Sequence, residues 1–262
     1  SNILGPVVGT AVYGCFGIDA LCETAALTFA MSALLFGGAL KQNASSGMTG
    51  DSTTCSTCRS DFRESIRYLV QNASLLVVFL LAAILNLALV GLTIGAPVIV
   101  AKHLGMQSSF VGIIEVAMGL GGLVGSGLVG IWPHRFSFKG ICRYVAMICF
   151  GVVPIIVTLL SGPDELAFAA LAAGSAWVMA WASITSVEIV SFVQRSAPKE
   201  LCGKVLALVY MTLSCATPIG QLVYGLAYDR WTPAIVFAGM LAVLTLTTAL
   251  FYRLKSRLWR LS

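Results

Sequence analysis

The chain has 262 residues, of which 58% are hydrophobic and only 10% are charged, with a net charge of +5. Because soluble domains carry about 25% charged residues, this composition excludes a soluble globular protein and predicts an integral membrane protein. The mean hydropathy is +0.92, and the excess positive charge fits basic loops beside a membrane better than a nucleic-acid partner.

Long apolar runs predict that the fold class is all-α. A spanning helix needs about 20 apolar residues in a row, whereas the strands of a membrane barrel alternate over about 10 residues. The first run, 1–16, is shorter than a span and does not begin with Met, so we expect the sequence to continue upstream. A full span is predicted at 17–40, and 41–73 is polar. Six further spans are predicted at 74–101, 108–132, 141–160, 166–193, 205–228 and 233–252.

Basic residues separate the connections between these spans into two sets. Fourteen of the sixteen Lys and Arg lie in one alternate set, and only Lys102 and Arg230 lie in the other. One missed helix would scramble this alternation. The positive-inside rule therefore predicts that the 41–73 segment and the C-terminus lie in the cytoplasm of a multi-pass cell-membrane protein.

The first part of the 41–73 segment is rich in Ser, Thr and Gly and is predicted to be a flexible linker. It contains Cys55 and Cys58 at a CxxC spacing. No second pair follows, and neither His103 nor His134 is near, so the pair is interpreted as a chance spacing. We expect no metal and no other cofactor.

The second part, 59–72, has an amphipathic pattern. Phe62, Ile66 and Leu69 share one face of a helix, with arginines beside it. This pattern is typical of a helix that lies on the inner membrane surface. A solvated helix that packs on the ends of the spans fits the same pattern.

Glu115 lies inside the 108–132 span, on a stripe of small residues. At 100° per residue this stripe contains Gly112, Glu115, Gly119, Gly122, Ser126 and Gly130. Small residues at this spacing allow a second helix to pack closely, so Gly119 and Gly122 are candidate helix-packing residues. A carboxylate here is expected to face protein or a water-filled cavity. It either exchanges protons during transport or forms a packing hydrogen bond between helices.

The 166–193 span carries a second stripe, with two tryptophans and a carboxylate. Its members are Gly174, Trp177, Trp181, Thr185, Glu188 and Phe192. Trp177 and Trp181 are candidates for an aromatic wall around an apolar or cationic ligand, and ordinary helix packing is the alternative. Glu188 is a second proton-coupling candidate, or it pairs with Arg195 seven residues on.

The 205–228 span carries a third polar stripe, which we expect to face the protein interior. Its members are Tyr210, Ser214, Thr217, Gln221, Tyr224 and Tyr228. Asn86, in the middle of the 74–101 span, is of the same kind. For Gln221, Tyr224 and Asn86, contact with a ligand and a hydrogen bond between helices are both open. The 141–160 and 233–252 spans have no charged residue in the middle and are predicted to face lipid.

Five short motifs add information through their order and spacing. They are Gly5-Pro6-Val7-Val8-Gly9, Asp61-Phe62-Arg63-Glu64, Gly119 to Gly125, Gln194-Arg195-Ser196-Ala197-Pro198 and Thr217-Pro218-Ile219-Gly220-Gln221. Spans that carry polar stripes are also interleaved with wholly apolar spans in two sets of three, as in one half of a secondary transporter. The chain resembles the C-terminal portion, from late in helix 5 to helix 12, of a major facilitator superfamily transporter. Within that superfamily it is similar to the branch that contains macrolide efflux proteins and the enterobactin exporter.

This resemblance implies a domain organisation. Residues 1–40 would end an N-terminal transporter half, 41–73 would be the central cytoplasmic loop, and 74–262 would form the C-terminal six-helix half. The first motif is similar to an antiporter motif associated with exporters, and Gly5, Pro6, Gly9 and Gly125 would act in helix packing. The missing N-terminal half would be a partner of this chain, together with the lipid bilayer.

The resemblance also implies a function: proton-coupled export of an amphipathic small molecule, such as a drug, a macrolide or a siderophore-like compound, by alternating access. The candidate substrate-binding or proton-coupling residues are Glu115, Glu188, Trp177, Trp181, Asn86, Gln221 and Tyr224. A facilitator or importer of a polar nutrient, or a non-transporting membrane scaffold, could have the same fold. An enzyme is not expected, because both histidines lie at span ends and no HExxH motif occurs.

Overall fold

The computed structural model describes residues 22–34, 66–107 and 109–258. The chain divides into two compact units, Ser1–Asp61 and Phe62–Ser262. In the described part of the second unit every regular element is a helix, which agrees with the all-α prediction.

In the first unit, the described residues form helix α1, Cys22–Leu34. This helix lies inside the predicted span 17–40, and its side chains are exposed within the unit. Several predictions fall outside the described residues. They concern the packing residues Gly5, Pro6 and Gly9, and the pair Cys55 and Cys58.

Six helices in the described part of the second unit are long and apolar enough to cross a membrane. Three of them extend by two or more residues beyond a predicted end, because polar residues outside the hydrocarbon still complete helical turns. The helix Asp164–Ser196 has 33 residues and is therefore about 50 Å long, whereas the hydrocarbon core of a bilayer is about 30 Å thick. The six helices are α3 (Ala73–Val98), α4 (Ser109–Ile131), α5 (Ile141–Ser161), α6 (Asp164–Ser196), α7 (Lys199–Arg230) and α8 (Pro233–Leu258).

Helices α4 and α6 pack so closely that their backbones touch. A Cβ atom added to Gly121 or Gly125 would overlap the carbonyl oxygens of Ala176 and Ala180, respectively. Both helices therefore present small residues four positions apart, an arrangement that stabilises helix pairs in membranes through van der Waals contact.

The contact face of α4 differs from the predicted stripe by one residue, or about 100° around the helix. The buried row contains Ile114, Gly121 and Gly125. On the predicted stripe, Gly112 is buried and Gly119 and Gly122 are half-buried, and a Cβ atom added to Gly122 would lie 3.3 Å from Ser183 Oγ of α6. The closest contact is made by the GxxxG pair at 121 and 125, where the backbones of α4 and α6 touch.

Helix α5, which is predicted to face lipid, is exposed on one side only. Ile148, Val152 and Ile155 on its other side are fully buried against the bundle. Phe150 and Val157 point outward. A span that is apolar all round gives no sequence signal for which of its faces meets protein, because lipid chains and protein cores are equally apolar.

Helices α3 and α7 are joined along their length. The Tyr228 hydroxyl donates a hydrogen bond to the Gly91 carbonyl at 2.9 Å, and the Tyr224 ring covers Gly91. At the end of the pair, Lys102 Nζ lies 3.1 Å from Asp229 Oδ1, with both side chains exposed. An exposed ion pair of this kind adds little stability, so the buried contacts hold the two helices together.

The helical segment 66–71, α2, packs on the ends of the spans. Leu69 is buried with Val193 and Val205, and the Tyr68 hydroxyl donates to the Ser196 carbonyl at 3.4 Å. Of the two predicted arrangements, the described residues therefore adopt the packed one.

We predict that Gly125→Ala destabilises the helix bundle, because the added methyl group would overlap the Ala180 carbonyl. Overpacking of this kind costs about 1–3 kcal/mol. Gly127→Ala is the matched control, since nothing lies within 4 Å of its added Cβ. Thermal unfolding of the full-length protein in detergent measures both variants. Equal stability of the two variants would contradict the close contact between α4 and α6.

Candidate functional site

A cavity of about 100 Å³ lies where α3, α6 and α7 meet. Ile148 of α5 also lines it, and the walls are mostly aliphatic. Its lining residues are Ala82, Leu85, Asn86, Leu89, Ile148, Ala182, Thr185, Ser186, Ile189, Val190, Val209, Tyr210 and Leu213. A small, mainly apolar cavity with a few polar groups has the character of a binding site for part of a small molecule.

Asn86 connects two walls of this cavity. Its side-chain nitrogen Nδ2 donates to the Leu213 carbonyl at 3.0 Å and to the Thr217 hydroxyl oxygen at 3.3 Å. These bonds cross from α3 to α7, where no water would be available to an unpaired amide inside a bilayer. Pro218 follows directly and has no N–H, so it cannot continue the helical hydrogen-bond ladder of α7. Asn86 thus stabilises α7 next to the position where Pro218 interrupts the backbone hydrogen bonds of the helix.

Trp177 and Trp181 lie on the α5 side of α6, and neither lines the cavity. The Trp177 indole N–H donates to the Met147 carbonyl at 2.9 Å, and its ring meets Phe150. Trp181 stacks on Tyr144 with ring centroids 5.9 Å apart. The ring centroids of the two tryptophans lie 6.0 Å apart. The tryptophans therefore belong to one aromatic cluster, which packs α6 against α5.

The two intramembrane carboxylates have different surroundings. Glu188 is buried, with a relative exposure of 7%, and interacts electrostatically with Arg195. Glu115 is exposed on the surface of the second unit, outside the cavity. The interior orientation that the sequence predicted for Glu115 is therefore not seen within this unit.

Gln221 and Tyr224 are also outside the cavity lining. Gln221 is exposed, whereas Tyr224 is half-buried over Gly91. Of the seven predicted site residues, only Asn86 lines the cavity. Among the described residues, no three His, Cys, Asp or Glu side chains lie close enough together to hold a metal ion.

A family model described as "Transmembrane secretion effector" matches residues 2–261. The chain belongs to this family. It is accordingly a membrane transporter of the major facilitator type, which agrees with the six membrane-spanning helices. No curated protein matches the chain.

Three polar lining residues of this transporter were not among the predicted candidates: Thr185, Ser186 and Tyr210. Thr185 and Tyr210 belong to the predicted polar stripes, so the stripe pattern contained a signal for them. Ser186 had none, because a single serine in an apolar span usually bonds to its own helix.

We predict that Asn86→Leu lowers the free energy of unfolding by about 0.6–1.7 kcal/mol, because it removes the bonds to α7 without a large change of volume. Thr217→Val removes only one of the two acceptors and is expected to cost less. A double-mutant cycle on thermal unfolding measures the coupling. Strict additivity of the two substitutions would show that the side chains do not interact.

Proposed function

We propose that this chain is part of an exporter that moves an amphipathic small molecule across the cell membrane by alternating access, coupled to protons. The match to the secretion-effector family over 2–261 is the observation that carries the proposal. The mixed lining of the cavity supports an amphipathic substrate, since aliphatic walls stand beside an amide and hydroxyl groups.

The second unit is proposed to act as the C-terminal half of the transporter. In such transporters two halves rock about a shared midplane site, so an N-terminal half would have to complete the route. The distribution of basic residues supports a topology in which the 41–73 segment and the C-terminus are cytoplasmic. The resemblance to macrolide and enterobactin exporters supports the outward direction.

Glu115 is the proposed proton-coupling residue. A carboxylate exposed within a spanning helix is costly in lipid, which favours a position that faces protein or water in the complete transporter. Coupling requires that the charged and neutral forms have different affinities for the two facings of the transporter. Glu188 is the second candidate, because it is buried near the positive charge of Arg195.

An importer of a polar nutrient is disfavoured by the cavity. Nine of the thirteen lining residues are aliphatic, and none is charged. A sugar-sized polar ligand would lose more hydrogen bonds to water than such a lining returns.

We predict that Glu115→Gln abolishes export driven by a pH gradient in the full-length protein, because the amide keeps the shape of the side chain but cannot release a proton. Everted membrane vesicles with a fluorescent amphipathic cation, such as ethidium, provide the measurement. Glu165→Gln is the matched control, since Glu165 lies in the first turn of α6, at the edge of the span, and should leave transport intact.

Unchanged gradient-driven export in the Glu115→Gln vesicles would exclude Glu115 as the coupling residue. Loss of export in Glu188→Gln alone would assign the role to Glu188. Movement of ethidium only down its own gradient in the unmodified protein would instead support a facilitator.

A further inference from the structure

The cavity offers no charged partner to a ligand. None of its lining residues is Asp, Glu, Lys, Arg or His. A charged group that entered it would lose hydration without an opposite charge in the lining, which is unfavourable. The group that fits is therefore uncharged.

The amide of Asn86 has a defined orientation. A backbone carbonyl can only accept a hydrogen bond, so the atom that faces the Leu213 oxygen has to be the nitrogen Nδ2. The same nitrogen also donates to the Thr217 hydroxyl, so both of its hydrogens are used. The carbonyl oxygen Oδ1 remains, and it is an acceptor.

The two threonine hydroxyls near Asn86 are used by other acceptors. The Thr185 hydroxyl donates to the Trp181 carbonyl at 2.7 Å, on its own helix. The Thr217 hydroxyl donates to the Leu213 carbonyl at 3.1 Å. No fully buried side-chain oxygen or nitrogen among the described residues lacks a partner, so Oδ1, to which no donor is bonded, is at least partly accessible, and Asn86 lines the cavity.

The size of the cavity limits what can enter. Apolar cavities of about 150 Å³ accept benzene, so one of about 100 Å³ has room for a branched alkyl group or for a ring that stays partly outside it. Ser186 and Tyr210 are both exposed at the cavity, which leaves room for the rest of a larger molecule to extend outward.

From these contacts we infer that the cavity binds an uncharged, ring-sized part of the transported molecule that donates a hydrogen bond to Asn86 Oδ1. The inference rests on the proposed transport function and narrows its substrate class to molecules with a neutral hydroxyl or amide N–H on a compact apolar group. Asn86 then has two roles, since its nitrogen holds α7 and its oxygen recognises the ligand.

Three small probes test the inference on the purified full-length protein. Phenol can donate a hydrogen bond, methoxybenzene has the same ring without a donor, and benzylammonium carries a charge. Saturation-transfer NMR measures binding, with protein-free micelles as the blank. We expect phenol to bind about 3- to 10-fold more tightly than methoxybenzene, the factor expected for one net hydrogen bond, and benzylammonium not to compete.

Two variants locate the binding. Asn86→Leu removes the acceptor, so the preference for phenol should fall to about one. Asn72→Leu is the matched control, because it also loses an asparagine bond to a backbone carbonyl, that of Tyr68, but outside the cavity lining. If Asn86→Leu does not fold, Ala182→Phe provides the second test, since its ring would fill the cavity and displace both neutral probes.

Equal affinities for phenol and methoxybenzene in the unmodified protein would overturn the inference, as would full binding of both to Ala182→Phe. Either result leaves gradient-driven export untouched. Conversely, a vesicle assay without any transport would overturn the proposed function, while the preference for phenol over methoxybenzene would still report the chemistry of the cavity.

Discussion

Water is absent from the hydrocarbon core of a membrane, so a polar group in a spanning helix needs a partner within the protein unless it faces a water-filled cavity. This constraint explains the long-range hydrogen bonds of the bundle. Asn86 and Tyr228 connect α3 and α7, and Trp177 connects α6 and α5, each to a backbone carbonyl. The polar side chains that the sequence marked as candidates for ligand contact thus serve, in part, to hold helices together.

Small residues supply the rest of the cohesion. Burial between helices gains little hydrophobic free energy in lipid, so packing depends on close van der Waals contact. Gly121 and Gly125 bring α4 against the backbone of α6, and Gly151 brings α5 against Gly174 of the same helix. Helix α6 is therefore fixed on two sides. Its third side, with Ser186, is left to line the cavity.

The cavity is lined both by apolar packing surfaces and by a side chain that forms hydrogen bonds between helices. Its walls are aliphatic because they belong to spans selected for apolarity, and its single amide is already used by its nitrogen to hold α7. What remains for a ligand is an acceptor oxygen in an uncharged space. A transporter site of this kind would select for shape and for one hydrogen-bond donor, and its polarity would follow from the same bond that stabilises the helix pair.

The sequence alone determined the membrane class, the six spans and the family resemblance, because a run of about 20 apolar residues has few alternatives to a spanning helix. It also marked Asn86, since a polar residue in mid-span must face a partner. Only the tertiary structure decided which faces meet most closely: Gly121 and Gly125 bring α4 against the backbone of α6, and Trp181 contacts α5 rather than the cavity. The reason is that lipid and protein interior are equally apolar, so hydropathy cannot distinguish the faces of a helix until its neighbours are in place.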